Sequence, residues 1–248
     1  MLAISIRTGR TMKILKSSIL LAIFCVGTSA IAQPAAQPAT SLSTDDRSAI
    51  QALMTQYAQA LSGCRAVEFA DLFVPETGSF ASGFRGRMVG RERLIALVES
   101  ERQCVAPTAK AGTTKAGTTK GGPTVAIDVT ASGVRGIASV AGAEYQDEYA
   151  KTPQGWRFAS RTVITAAEKA AGLDAPGILA IQRLGGAKLG DHYEADQNGV
   201  QRLMTSGVKV SISGDQVTGR AYLKDGTYND AVYEKLGPGE WRVKSKLP

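Results

Sequence analysis

The residues best suited to chemistry gather between positions 143 and 164. The stretch reads Ala-Glu-Tyr-Gln-Asp-Glu-Tyr-Ala-Lys-Thr-Pro-Gln-Gly-Trp-Arg-Phe-Ala-Ser-Arg-Thr-Val-Ile. Two β-prone runs flank Pro153-Gln154-Gly155, a spacing that predicts a tight loop between antiparallel strands. Alternation puts Tyr145, Asp147 and Tyr149 on one face of the first strand. If Thr152 pairs with Trp156 around a three-residue loop, Asp147 lies opposite Arg161, forming a cross-strand ion pair beside two tyrosines. Such a pair is either structural, or a pocket base whose pKa is set by burial and by the guanidinium. Tyr57, on the apolar stripe of an upstream helix, is either a core tyrosine or a hydroxyl that donates to a ligand carbonyl or oxyanion. Tyr145 and Tyr149 are ordinary strand residues or the aromatic wall of a flat ligand site. Trp156 reads as a core anchor.

Other chemistries find little support. With His192 the single histidine, a zinc site or a Ser-His-Asp triad is not expected. No metal and no cofactor are predicted. Arg85 and Arg87 flank a glycine-rich turn and read as a solvated hairpin tip rather than an anion site.

The elements that must position these residues follow from periodicity. The first 32 residues carry Arg7, Arg10, Lys13 and Lys16, then the apolar run 18–26, then Ala30-Ile31-Ala32. This is the three-part pattern of a secretory signal peptide, cleaved near Ala32. The expected location is therefore periplasmic or secreted, with no membrane span in the mature chain. That leader holds no acidic residue, so its removal lowers the formal charge from +7 to +3. The remaining basicity is concentrated in one loop, and no nucleic-acid partner is expected. About 216 residues remain, enough for one large core or two small ones. Cys64 and Cys104 survive in a compartment that permits a disulfide; the alternative is two buried thiols acting as small hydrophobes.

Residues 33–43, rich in Ala, Pro, Ser and Thr, read as a tether. A helix capped by Thr44 or Asp45 runs to about 62, with Ile50, Leu53, Met54, Tyr57, Ala58 and Leu61 on its buried stripe. A short helix at 66–73, a hairpin at 79–89 and a third helix to about 103 follow. Lys-Ala-Gly-Thr-Thr then occurs twice in tandem from Lys110, a composition that cannot pack and predicts a loop. Strands at 124–130 and 133–140 complete a meander with the hairpin. Beyond 165 come two short helical pieces, a loop-like stretch at 185–198 and four more strands at 207–213, 216–224, 227–235 and 241–247. Val134-Arg-Gly-Ile-Ala-Ser sets beside Val217-Thr-Gly-Arg-Ala-Tyr, and Gly155-Trp-Arg-Phe-Ala-Ser beside Glu240-Trp-Arg-Val-Lys-Ser, which suggests an internal repeat. Helices gathered on one side of an antiparallel sheet mean an α+β fold.

Several segments resemble SnoaL-like proteins of the nuclear-transport-factor-2-like superfamily. They are the helix from Asp46, Phe69-Ala-Asp-Leu-Phe, Gly86-Arg-Met-Val-Gly-Arg-Glu and, most specifically, the run from Tyr145 to Val163. The resemblance spans 44–165, leaving 166–248 as helical linker and partial second meander. It implies a cone, in which a curved antiparallel sheet wraps three helices around a largely apolar pocket. It also implies a small apolar ligand and, since members commonly pair through the convex sheet face, a homodimer. Catalytic members often carry an Asp where this chain has Ser62, and dehydratase-like members place histidines where this chain has none. Two readings stay open. One is an exported pocket protein that binds a small molecule through Tyr57, Ser62, Tyr145, Tyr149 and Arg161, with lyase, dehydratase or isomerase activity by Tyr57 and Asp147 left undecided. The other is a non-catalytic interaction module of the cell envelope.

Overall fold

The computed structural model describes residues 41–105, 124–130, 133–140 and 142–248. The leader, most of the tether and the tandem Lys-Ala-Gly-Thr-Thr lie outside the described residues. In order, the elements are α1 (Thr44–Ser62), α2 (Ala66–Ala70), β1 (Ser79–Ser82), β2 (Gly86–Val89), α3 (Arg91–Glu99), α4 (Arg102–Val105), β3 (Ala126–Thr130), β4 (Gly133–Val140), β5 (Ala143–Thr152) and β6 (Gly155–Thr165). Then follow α5 (Ala166–Ala170), α6 (Ala175–Leu184), a 3-10 turn (Gly186–Lys188), β7 (Asp191–Ala195), β8 (Gln201–Ser206), β9 (Val208–Ser213), β10 (Gln216–Tyr222), β11 (Tyr228–Gly237) and β12 (Glu240–Lys246).

The fold is α+β. One curved sheet of eight strands runs β3-β4-β5-β6-β1-β2-β8-β7, and a second antiparallel sheet runs β12-β11-β10-β9. Helices α1 to α3 cover the inner face of the large sheet. Their apolar positions Ile50, Leu53, Met54, Phe69, Leu94 and Val98 join Phe80, Met88 and Phe158 in one core. On the other face, α6 lies between the sheets and forms a second core with Ala81, Ile164, Val208, Val217, Tyr233 and Trp241. Its apolar sides are the reason for that position, because Ile178 and Ile181 are both fully buried. The C-terminal meander thus packs against the large sheet through a helix.

Several expectations are corrected. The cap of α1 is Ser43, one residue earlier than expected, and its hydroxyl accepts from the Asp46 amide. Ala58 is exposed and Ala60 is buried instead. Residues 185–198 are not a loop: they hold the 3-10 turn and β7, which pairs with β8. The polar run Asp-His-Tyr-Glu-Ala has no apolar alternation to advertise a strand, and its pairing comes from the edge that β8 offers. Strand β8 in turn meets β2 in parallel at Gly86 and Ser206. Gly86 has φ +71°, and a Cβ there would sit 2.0 Å from the Ser206 carbonyl oxygen. Arg85 is no solvated tip. It is buried and donates to the carbonyls of Leu203, Met204 and Ser100 and to the Glu101 carboxylate. It ties the β1–β2 hairpin to β8.

The turn of the β5–β6 hairpin also differs. Thr152 pairs with Gly155, not Trp156, so the loop has two residues. A bulge between Glu148 and Tyr149 skips Ala159 and restores the expected register, so Asp147 does face Arg161. The same bulge swings Phe158 to the inner face. There its amide donates to the Leu72 carbonyl, and its own carbonyl accepts from Val74.

Candidate functional site

Asp147 and Arg161 meet on the inner face of β5–β6, beneath α1. Arg161 donates from Nε to Oδ1 at 2.8 Å and from Nη2 to Oδ2 at 2.7 Å, the two-pronged geometry that suits a guanidinium and a carboxylate. The Tyr149 hydroxyl donates to Oδ2 at 2.9 Å. Both charged side chains are 0% exposed. Rings surround the guanidinium: those of Tyr57 and Phe158 each lie 4.1 Å from its carbon, and that of Tyr145 lies 4.8 Å away. Such contacts range from about 0.5 kcal/mol at exposed sites to about 2 kcal/mol when desolvated. Arg161 Nη2 also touches the Met54 sulfur. Nη1 has no hydrogen-bond partner among the described residues; the guanidinium that carries it is packed among π faces. A glycine makes room for this arrangement, since a Cβ at Gly136 would lie 2.7 Å from the Tyr149 ring.

The electrostatics follow from burial. Burial works to lower the Arg161 pKa, but the Asp147 carboxylate outweighs it, and the guanidinium is held charged. Burial raises the hydroxyl pKa values of Tyr57, Tyr145 and Tyr149, the last helped by Asp147. These phenols are neutral donors at physiological pH, not bases. Three of the roughly four acceptor positions on Asp147 are committed. A general base needs an open lone pair within reach of the proton it takes.

The structure therefore brings together five of the six residues expected to form a site: Tyr57, Tyr145, Tyr149, Asp147 and Arg161. Ser62 stands apart. It is exposed at the end of α1, where its hydroxyl donates to the Gln59 carbonyl. The cluster is filled by its own members. Phe158 and Met54 complete it; Met54 was legible on the helical stripe, whereas Phe158 reaches the inner face only through the bulge. Cys64 and Cys104 form a disulfide, which fastens the end of α1 to α4. Trp156 does anchor the hairpin, and it does so through Asp46. Its Nε1 donates to Asp46 Oδ1 at 2.7 Å, and Lys151 donates to the same oxygen at 2.8 Å. His192 contacts Glu194 and stacks on Tyr222. No group of three or more His, Cys, Asp or Glu among the described residues is placed to hold a metal ion. No described helix is long and apolar enough to cross a membrane.

Open space lies on the opposite, outer face of the same strands. A groove of about 690 Å³ runs between β3–β6 and α6. Ala126, Ile137, Pro176 and Leu179 give it apolar walls, and Asp128, Arg135, Glu148, Asp174 and Arg183 are charged members; Asp147, whose side chain is 0% exposed, also borders it. At its base Gln146 accepts from the Ala175 amide, joining β5 to the start of α6. Neither the strand alternation nor the helix pattern alone could have located this groove, because it exists only where α6 is laid across the sheet.

A curved sheet backed by helices is the arrangement of the nuclear-transport-factor-2-like class of fold. Residues 43–162 match the SnoaL-like domain model, and over that stretch the chain is a SnoaL-like domain. Solved structures resemble it at low identity. One is an NTF2-like protein with a cystatin-like fold from Novosphingobium aromaticivorans, 19% identical, covering 51% of this chain and 88% of that one, TM-score 0.37. A protein from Catenulispora acidiphila is 20% identical, covering 50% and 94%, TM-score 0.38. A hexachlorocyclohexane dehydrochlorinase of LinA type 3 from Novosphingobium barchaimii is 16% identical, covering 48% and 85%, TM-score 0.35. No curated protein matches the chain.

Proposed function

We propose that this is an exported, non-catalytic binding protein that takes a small, largely apolar molecule in the outer groove between the large sheet and α6. The observation that carries the reading is the state of the Asp147–Arg161 pair. It is fully buried, doubly hydrogen-bonded and enclosed by aromatic rings, so among the described residues the pair is closed off from a ligand. The outer groove, at about 690 Å³, falls within the range of roughly 300–1,000 Å³ usual for small-molecule sites. Export is supported by the leader-like start of the sequence and by the Cys64–Cys104 bond, which suits an oxidising compartment.

One observation favours a second reading, a protein partner or second copy on the same face: Ile137, at the groove, is 50% exposed. Native mass spectrometry of protein purified without denaturation separates the cases. The expected result is a retained small mass in the wild type and in Tyr57→Phe, lost in Ala126→Trp, which fills the groove from the exposed edge strand. A mass lost in Tyr57→Phe but kept in Ala126→Trp would return the site to the inner face. A clean apo mass with a dimer or a co-purifying protein would establish the second reading.

A further inference from the structure

A separate cavity of about 390 Å³ lies on the other side of α6, where the helix, the following turn, β2 and the end of β8 meet. Its charged members are three arginines from three elements: Arg87 of β2, Arg93 of α3 and Arg183 of α6. Arg93 is neutralised and fixed in place by both oxygens of Asp191 and by the Ser206 hydroxyl. Arg87 and Arg183 have no ion-pair partner among the described residues. Two guanidinium groups without an ion-pair partner among the described residues therefore line one small concavity, a cationic surface that favours an anion. Val89, Leu179 and Leu189 supply apolar walls beside them.

We propose that this cavity binds a phosphate monoester with a small apolar body. Guanidinium forks recognise tetrahedral oxyanions by paired hydrogen bonds. A monoester carries between one and a half and two negative charges near neutral pH, roughly matching the two free arginines. The volume exceeds what a bare phosphate fills, and the aliphatic side chains are placed to receive the ester group. Arg93, already engaged by Asp191, holds the wall in place. The site is distinct from the outer groove, although Leu179 and Arg183 reach both sides of α6.

Calorimetric titration of the full chain with phenyl phosphate at pH 7.5 and low salt tests this. One-to-one binding is expected, with no heat from phenol. Arg87→Gln and Arg183→Gln, both at exposed positions, are expected to weaken it at least ten-fold each with unchanged near-ultraviolet circular dichroism. Lys246→Gln, an exposed cation on β12, controls for general charge loss and is expected to bind like wild type. Ala126→Trp is also expected to bind like wild type, because it fills only the outer groove. Absence of binding by the wild type overturns the proposal. So does wild-type affinity in either arginine variant, an equal loss in Lys246→Gln, or loss in Ala126→Trp.

Discussion

Replacing Asp147 by Asn keeps the shape of the side chain and removes its charge. Arg161 would then be a buried guanidinium, 0% exposed, with no counter-ion. Breaking a buried pair from one side costs about 3–5 kcal/mol, because the remaining charge is stranded. The ring contacts of Tyr57, Phe158 and Tyr145 stay in place and pull the expected cost toward the lower end. Total stabilities of about 5–15 kcal/mol make this a large fraction. For a chain of this size it corresponds to a fall in Tm of about 6–20 °C, at roughly 2–4 °C per kcal/mol. The second half of the experiment removes the whole polar group. Asp147→Leu with Arg161→Met alone would orphan the Tyr149 hydroxyl, which donates to Asp147, so Tyr149→Phe is added. This triple variant is expected within about 1 kcal/mol of wild type, since a well-packed apolar replacement of a buried pair is often neutral or better. Urea unfolding monitored by tryptophan fluorescence measures both. Asp147→Asn within about 1 kcal/mol of wild type would mean that water reaches the pair, and the account of a sealed inner face would fail.

Three further outcomes are expected. Asp46 is held well below its ordinary value of 3.8 by Lys151, Trp156 and Ser43; its contribution is fully present above the usual carboxylate range and is lost progressively as pH falls below that range toward the depressed value. Wild type and Asp46→Asn should therefore differ in urea midpoint near pH 6, with the gap narrowing as pH is lowered to 2.5, and a constant gap would remove Asp46 from this role. Tyr57, Tyr145 and Tyr149 have raised pKa values through burial, so their contribution is complete below about pH 10 and declines as pH rises beyond it. Replacing all three by Phe should flatten the alkaline limb of stability against pH; an unchanged limb would place the titration elsewhere. Gly86→Ala should cost about 1–3 kcal/mol by forcing a Cβ against the Ser206 carbonyl, read as a lower Tm, and a neutral effect would argue against the β2–β8 contact.

Much of the first 165 residues is legible because periodicity and pairing agree. The apolar stripe of α1 and the facing of Asp147 to Arg161 both follow from spacing. The ion-pair register is instructive, because it was reached through the wrong turn. A two-residue loop and a bulge cancel, and a sequence carries no local signal for a skipped residue such as Ala159. That bulge also decides the chemistry, because it brings Phe158 onto the guanidinium and helps fill the space a ligand would need. Arg85 was misread for a related reason. A charged residue beside glycines looks solvated until a distant strand, β8, supplies carbonyls for it. Strand β7 was missed because its residues are polar and its pairing is tertiary. The outer groove and the arginine cavity both depend on where α6 lies, which no local pattern encodes.

The central claim is that the Asp147–Arg161 pair is a closed structural element, and side-chain hydrogen exchange of Arg161 tests it most directly. In a nitrogen-15 spectrum near pH 7, an exposed arginine Nε–H exchanges rapidly with water. The Arg161 Nε–H, bonded to Asp147 Oδ1 at 2.8 Å and enclosed by rings, is expected to persist as a sharp, slowly exchanging resonance that disappears in Asp147→Ala. Rapid exchange of that proton in the wild type would show a water-filled inner pocket and contradict the account.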